Sequence, residues 1–118
     1  RGNAVNILKF IVLLIAAGAT TSALACDYPP LITIPSGADA TMEDLVATQA
    51  GIQEYMGAME EYLTCVDDEL TAAGDGAPAE YRAIQLSRYN AAIAEMEAIA
   101  ADFNTEVQAY RAANPDAG

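Results

Sequence analysis

The chain has 118 residues, of which 17 are acidic and 5 basic, and it contains two cysteines and no histidine. This length allows one domain, and a formal net charge of −12 argues against nucleic acid as a partner, because Lys and Arg are needed to neutralise phosphates. The absence of histidine removes the usual general base, the Ser-His triad, the common zinc sites and the Glu-x-x-His ligands of a di-iron bundle.

Residues 1–25 have the order of a secretory signal. Two basic residues come first, an apolar run follows at 10–17, and small residues lead to Ala25. The apolar run is shorter than the roughly 20 residues that span a bilayer. We therefore expect cleavage between Ala25 and Cys26 and a periplasmic or secreted mature protein. Its net charge would be −14, from three arginines and 17 acidic residues.

Two membrane alternatives remain open at this N-terminus. The apolar run would anchor the chain if it were retained. Cys26 would be lipidated if Ala23-Leu24-Ala25-Cys26 acted as a bacterial lipobox, although Ala23 stands where Leu is usual. Lipidation would leave Cys65 as a lone thiol, whereas cysteines of exported chains usually pair. We therefore favour a disulfide between Cys26 and Cys65.

Residues 26–40 are predicted to be extended, since three prolines fix φ and disfavour helix in the residues before them. Extended chain of this length reaches at most about 46–50 Å. The helix from Thr41 to Cys65 would measure about 36 Å. The segment can therefore run back along that helix and place Cys26 beside Cys65, and such a bridge is worth roughly 3–4 kcal/mol.

A first helix is predicted over 41–73. Its apolar positions step by three and four, which is the spacing of a coiled-coil seam, and Gln49 is the one polar intruder. Thr41 and Asp44 resemble a capping box at its start. The seam positions are Met42, Leu45, Gln49, Ile52, Met56, Met59, Leu63, Val66 and Leu70.

A loop at 74–77 leads to a second predicted helix over 78–112, which Pro78 opens. Asn114-Pro115 ends it and leaves a short tail at 113–118. Its seam also steps by three and four. The seam positions are Leu86, Tyr89, Ile93, Met96, Ala100, Phe103, Val107 and Tyr110.

The short connection makes the two helices antiparallel neighbours. One register runs from Met42 opposite Tyr110 to Leu70 opposite Arg82 without a slip. The predicted fold is all-α: an antiparallel two-helix coiled-coil hairpin with the extended Pro-rich segment packed along it and stapled by a disulfide. It forms a single domain over 26–118.

The two flanks of the seam differ. One pairs Tyr55 with Ile99 and Tyr62 with Ala92, an apolar strip that we expect the extended segment to cover. The other flank is polar. The candidate interaction residues are Tyr55, Tyr62 and Ile99 in the strip and Tyr81 and Ile84 near the loop.

The remaining motifs carry little chemistry. Asp67-Asp68-Glu69 with Asp75 does not fit EF-hand spacing, and an acidic run on a helix is usually a solvated face. Gly74-Asp75-Gly76 lacks both the spacing and the Lys of a phosphate loop. We predict no catalytic residue, metal ligand or cofactor, and we expect that the protein is not an enzyme.

Four stretches of the chain carry a resemblance to known proteins. They read C-D-Y-P-P at 26–30, I-P-S-G-A at 34–38, E-Y-L-T-C at 61–65 and N-A-A-I-A-E-M-E-A-I-A-A-D-F-N at 90–104. In these the chain resembles small signal-bearing proteins of proteobacteria for which no activity is known. The resemblance implies a periplasmic or secreted location and paired cysteines, and it supplies no site residues.

These patterns favour a non-enzymatic exported module with a binding or structural role, acting through contacts with a protein partner. A second copy of the chain, giving a homodimer, is one candidate for that partner. Two alternatives are a membrane-tethered protein and a weak carrier of cations or of a small ligand.

Overall fold

The computed structural model describes residues 25–117, so the predicted signal peptide lies outside the described residues except for Ala25. Two helices, α1 at Met42–Ala73 and α2 at Ala79–Ala113, pack against each other, and no strand occurs among the described residues. The predicted all-α hairpin is confirmed. Each helix starts one residue later than predicted, because the preceding residue is its cap.

Thr41 caps α1 with the capping box that the sequence predicts. The Asp44 amide donates to Thr41 Oγ1 at 3.1 Å, and the Thr41 amide donates to Asp44 Oδ2 at 2.8 Å. These bonds satisfy N–H groups that the helix itself leaves without partners. Hydrogen bonds from the Thr41 backbone and hydroxyl lower the pKa of the Asp44 carboxyl, which keeps the acceptor ionised.

The loop between the helices is held by one arginine. Gly74 ends α1 with a φ of 69°, in the left-handed region that glycine adopts without a Cβ clash. The Arg82 guanidinium then donates to three loop carbonyls. They are those of Gly74 (3.3 Å), Asp75 and Ala77 (3.3 Å). Since all three carbonyl oxygens accept hydrogen bonds from one side chain of α2, the turn is tied to the helix that follows it.

The core lies where the two helices meet the extended segment. Met59 and Ala92 are fully buried at its centre, one on each helix. Ile32 and Ile34 of the segment pack against this cluster from outside. The prediction that the segment fills the groove along the apolar strip is therefore confirmed. The buried cluster comprises Tyr55, Met59, Tyr62, Leu63, Val66, Ala92 and Ile99.

The seam is not buried along its whole length. Met42, Leu86 and Tyr89 occupy seam positions, yet all three side chains are exposed. Two helices alone bury only a narrow line of side chains, and a third element must cover the rest. The extended segment covers one flank, so seam residues that turn toward the other flank stay in contact with water.

Candidate functional site

A disulfide joins Cys26 to Cys65 and ties the start of the extended segment to α1. Their Cα atoms are 5.7 Å apart across a sequence separation of 39 residues, and both side chains are half-buried. No free cysteine occurs in the described part of the chain. The predicted bridge is confirmed, and it indicates a non-reducing environment.

A hydrogen-bonded cluster of four side chains lies beside the disulfide. Glu69 Oε2 accepts from Gln85 Nε2 at 2.8 Å and from Arg88 Nη1 at 3.0 Å. Arg88 also donates from Nε to Tyr62 Oη at 3.1 Å, and its guanidinium carbon lies 5.5 Å from the centroid of that ring. The bonds from Gln85 and Arg88 lower the pKa of Glu69, so the carboxylate stays charged.

Sequence reasoning missed this cluster because it treated Glu69 as part of a solvated acidic run. A signal for it was present. Glu69 lies seven residues after Tyr62, and Gln85 lies seven residues before Ala92, so the pair continues the predicted flank by one heptad. The cluster is thus the polar end of the strip that the extended segment covers.

The same place has the atoms of a possible ligand set. The two sulfurs of Cys26 and Cys65 and a carboxylate oxygen of Glu69 lie within 4.8 Å of one another. Metal ions bind the thiolate form of cysteine, and in the bridge neither sulfur is a thiolate. In the oxidised protein these residues therefore hold the segment in place.

The other end of the segment is attached to α2. The Gly37 amide donates to Glu106 Oε2 at 2.6 Å. A Cβ at this buried glycine would lie 1.7 Å from the Glu106 carbonyl oxygen and 3.0 Å from the Tyr110 amide nitrogen. Only glycine allows such a close approach of two backbones. The segment is therefore anchored at both ends, by a covalent bond on α1 and by close packing on α2.

Three of the five predicted interaction residues belong to the core. Tyr55, Tyr62 and Ile99 are buried beneath the segment, where the ring of Tyr28 meets that of Tyr62 edge-on at 5.0 Å between centroids. These three residues lie where the segment was expected to cover them, and they offer no surface to a partner while the segment is in place.

Tyr55 carries a buried polar atom without a partner. Its hydroxyl oxygen has no hydrogen bond within the described residues. Burial, with the Tyr28 hydroxyl nearby as a smaller cause, raises the pKa of Tyr55 to about 12. The side chain therefore stays neutral and contributes to stability through its ring.

The other two predicted residues lie near the loop. Tyr81 is half-buried, and its hydroxyl lies 3.5 Å from the Glu69 carbonyl oxygen, to which it donates. Ile84 is 59% exposed, and it does not line the groove that Leu86 and Tyr89 share. Leu86 is equally exposed, at 59%, and it does line a groove, as does Tyr89.

We call the groove that Leu86 and Tyr89 line the loop-end groove. It is formed by Val66, Leu70, Leu86 and Tyr89. Its volume is about 190 Å³, and Asp67 stands at its edge. Val66 is buried and forms its floor, whereas Leu86 projects into water. Sequence reasoning missed this groove because it assigned Leu86 and Tyr89 to a closed seam.

A second apolar groove lies at the opposite end of the hairpin, where α1 begins and α2 ends. We call it the open-end groove, and its volume is about 660 Å³. Met42 and Val46 are 52% and 58% exposed, so it opens to solvent. Its apolar lining consists of Met42, Leu45, Val46, Phe103, Val107, Tyr110, Pro115 and Ala117.

Three arginines lie within residues 25–117, and two of them are occupied by the fold. Arg82 binds the loop carbonyls, and Arg88 forms an ion pair with Glu69. Arg111 lies in the last turn of α2 and lines the open-end groove, with no hydrogen bond or ion pair to any described residue. Arg111 is thus the one arginine of this region whose donors face only water.

The fold and the site define a class of protein: an acidic, disulfide-stapled helical hairpin with one face covered by its own extended segment. No protein family, curated protein or solved structure matches the chain. Neither helix of the described region is long and apolar enough to cross a membrane. The resemblance to signal-bearing proteobacterial proteins stays a prediction.

Proposed function

We propose that this protein is an exported, non-enzymatic binding module that contacts a protein partner through the loop-end groove. The observation that carries the proposal is the exposure of Leu86 and Tyr89 beside a buried apolar floor. Aromatic and large aliphatic side chains left open in a cleft are typical of surfaces that a partner covers. The predicted secretory signal and the disulfide support export.

The chemistry of the partner follows from the groove and its surroundings. An apolar side chain inserted between Leu86 and Tyr89 would cover their exposed parts. Each would contribute only a part of the roughly 1.5–3 kcal/mol of a full burial, because Leu86 is 59% and Tyr89 38% exposed. Asp67 at the edge, and a mature chain of net charge −14, favour lysine or arginine around that anchor. We therefore expect a partner with an apolar anchor residue and a basic rim.

A non-catalytic role is supported by the side chains the chain contains. Histidine is absent from the sequence, and Cys26 and Cys65 are joined to each other. The usual general base and the usual thiolate nucleophile are therefore missing. The polar cluster around Glu69 is consumed by internal hydrogen bonds to Gln85 and Arg88.

Leu86 and Ile84 form a matched pair for the test. Both are 59% exposed and lie on α2 two positions apart, and that spacing puts them on different sides of the helix. We would place a photo-crosslinking amino acid at one position or the other, in protein that its native producer exports. The adducts formed from the two positions then compare the two sides of the helix directly. We expect one distinct protein adduct from position 86 and none from position 84.

A Leu86→Glu variant sharpens this test. It should fold, because the side chain already faces water, and it should abolish an adduct formed from a crosslinker placed at position 89, while Ile84→Glu leaves that adduct intact. An adduct from position 84 alone, or equal loss with both variants, would contradict the assignment of the loop-end groove as the contact.

A further inference from the structure

We propose that the open-end groove binds a small amphipathic monoanion, an aliphatic chain with one carboxylate, whose head group is held by Arg111. This site is distinct from the loop-end groove. Val46 lines the open-end groove and Val66 lines the loop-end groove, and about 30 Å of α1 separates the two residues. The two proposals therefore stand or fall separately.

The shape of the groove suits a ligand of this size. Small-molecule sites occupy about 300–1,000 Å³ and are lined mostly by apolar side chains with few polar groups. The open-end groove has about 660 Å³ and eight apolar lining residues. Leu45 and Tyr110 are buried at its base, while Met42 and Val46 remain exposed at its mouth. An aliphatic chain bound in this groove would cover Met42 and Val46.

Arg111 supplies the complement to the head group. Its guanidinium has five N–H donors and makes no hydrogen bond or ion pair within residues 25–117. Its positive charge in the last turn of α2 interacts favourably with the helix dipole, and that interaction leaves the N–H donors available. Guanidinium binds carboxylate in a two-pronged geometry that no other side chain offers.

Besides Arg111, the polar residues of the groove are Gln49 and Asn114, and Asn114 donates to the Tyr110 carbonyl oxygen at 2.9 Å. Gln49 interrupted the apolar seam in the sequence, and here it lines the groove beside Phe103, without a hydrogen bond to another described side chain. An amide at this position can donate to a carboxylate oxygen. The polar residue that weakens the seam thus lies where an anionic ligand would be received.

The charge of the protein narrows the ligand further. The mature chain has net charge −14, so a polyanion such as nucleic acid or an anionic membrane surface is repelled as a whole. A single carboxylate meets one cation, and an exposed ion pair of this kind contributes little by itself. The apolar tail must therefore provide most of the affinity, and Arg111 must provide the preference for an anion.

A second copy of the chain is the competing occupant. Joining two such chains at their open ends would bring together two chains that each have a net charge of −14. Self-repulsion of this kind opposes compact association. The charge of the protein therefore favours the small ligand over a dimer contact.

The probes for the experiment are decanoate and decan-1-ol, which share an aliphatic chain and differ in the carboxylate. Titration of the ¹⁵N-labelled, disulfide-bonded mature protein should shift amide signals around Val46, Phe103 and Arg111. Arg111→Gln should weaken decanoate binding by up to about fivefold, as expected for loss of an exposed ion pair, and leave decan-1-ol binding unchanged. Arg82→Gln removes the same charge at the other end of the hairpin and should leave both affinities unchanged.

Several results would overturn the proposal. They are an absence of shifts in the groove, an equal affinity for the two probes, and a loss with Arg82→Gln as large as that with Arg111→Gln. Val46→Glu provides an independent check, because it places a like charge at the mouth of the groove and should abolish decanoate binding in a folded protein. If the protein sediments as a dimer that Val46→Glu dissociates, a second copy occupies the groove and the ligand proposal fails.

Discussion

The two sides of the helical seam differ in how far their side chains are buried. Val66 and Leu86 face each other in the predicted register, yet Val66 is 2% exposed and Leu86 is 59% exposed. Both residues have the spacing of a coiled-coil seam, so the spacing alone does not decide which is buried. The difference is the extended segment, which packs over one flank of the hairpin and is absent from the other.

The covered side holds the core of this small fold, and the contacts that we propose lie on the uncovered side. The covered side contains the fully buried Met59 and Ala92, and it is anchored by the disulfide at one end and by Gly37 at the other. The uncovered side contains the loop-end and open-end grooves. A small scaffold that covers one face with its third element leaves the other face open to contacts.

The largest effect is expected from removal of the staple. The double variant Cys26→Ser/Cys65→Ser should lose about 4 kcal/mol of unfolding free energy, because the bridge closes a separation of 39 residues. Urea denaturation followed by circular dichroism measures this loss. A loss below about 1 kcal/mol would mean that the segment stays packed without the bridge, and that the covered face does not depend on it.

Truncation of one side chain on each side of the seam compares the two faces directly. Met59→Ala should cost about 3 kcal/mol, because it leaves a cavity in the core, whereas Leu86→Ala should cost less than about 1 kcal/mol. The same denaturation experiment applies. Equal losses would show that Leu86 is also buried in solution, by a neighbour or by a rearranged seam.

The next largest loss of stability is expected where Gly37 approaches α2 closely. Gly37→Ala should cost about 2 kcal/mol, because the new Cβ overlaps the Glu106 carbonyl and must push the segment outward. Gly51→Ala and Gly57→Ala are matched controls on α1, where an added Cβ meets no atom within 4 Å. Both should stabilise the helix by up to about 1 kcal/mol. Destabilisation by the controls as large as that by Gly37→Ala would contradict this account.

Tyr55 gives the covered face a pH dependence. Its pKa is raised from 10.0 to about 12, so the stability it contributes is fully present below pH 10 and is lost as the pH rises toward 12. Between those values the unfolded chain releases a proton that the folded chain retains. The loss should reach roughly 1 kcal/mol by pH 11.

Tyr55→Phe tests this dependence and should flatten the decline above pH 10. It should be neutral or slightly stabilising at pH 7, because it removes a buried hydroxyl without a partner. Tyr89→Phe, on the uncovered side, should keep the decline of the unmodified protein. An unchanged alkaline decline in Tyr55→Phe would show that Tyr55 is not buried.

Much of this architecture was predictable from local patterns. The capping box of Thr41, the Gly and Pro residues of the loop and the three-four spacing are signals carried by neighbouring residues, so the helices followed from them. The disulfide between Cys26 and Cys65 followed from chain length and helix rise. These inferences needed no knowledge of how side chains pack.

The candidate site was less predictable, because it depends on what remains uncovered. Leu86 is exposed because the segment lies on the other flank of the hairpin. Seam spacing does not predict which flank the segment covers. The ion pair of Arg88 with Glu69 joins residues 19 positions apart, and the Gly37–Glu106 hydrogen bond joins residues 69 positions apart. Such pairings arise from three-body packing of the two helices and the segment.

Chemical modification of tyrosines tests the central comparison most directly. Tetranitromethane treatment of the oxidised protein, followed by peptide mass spectrometry, should nitrate the exposed Tyr89 and spare the buried Tyr55 and Tyr62. The Cys26→Ser/Cys65→Ser variant, which has no thiol for the reagent to oxidise, should expose Tyr62 to nitration and leave the reactivity of Tyr89 unchanged. Protection of Tyr89, or nitration of Tyr62 while the disulfide is intact, would contradict the division of the hairpin into a covered face and an open one.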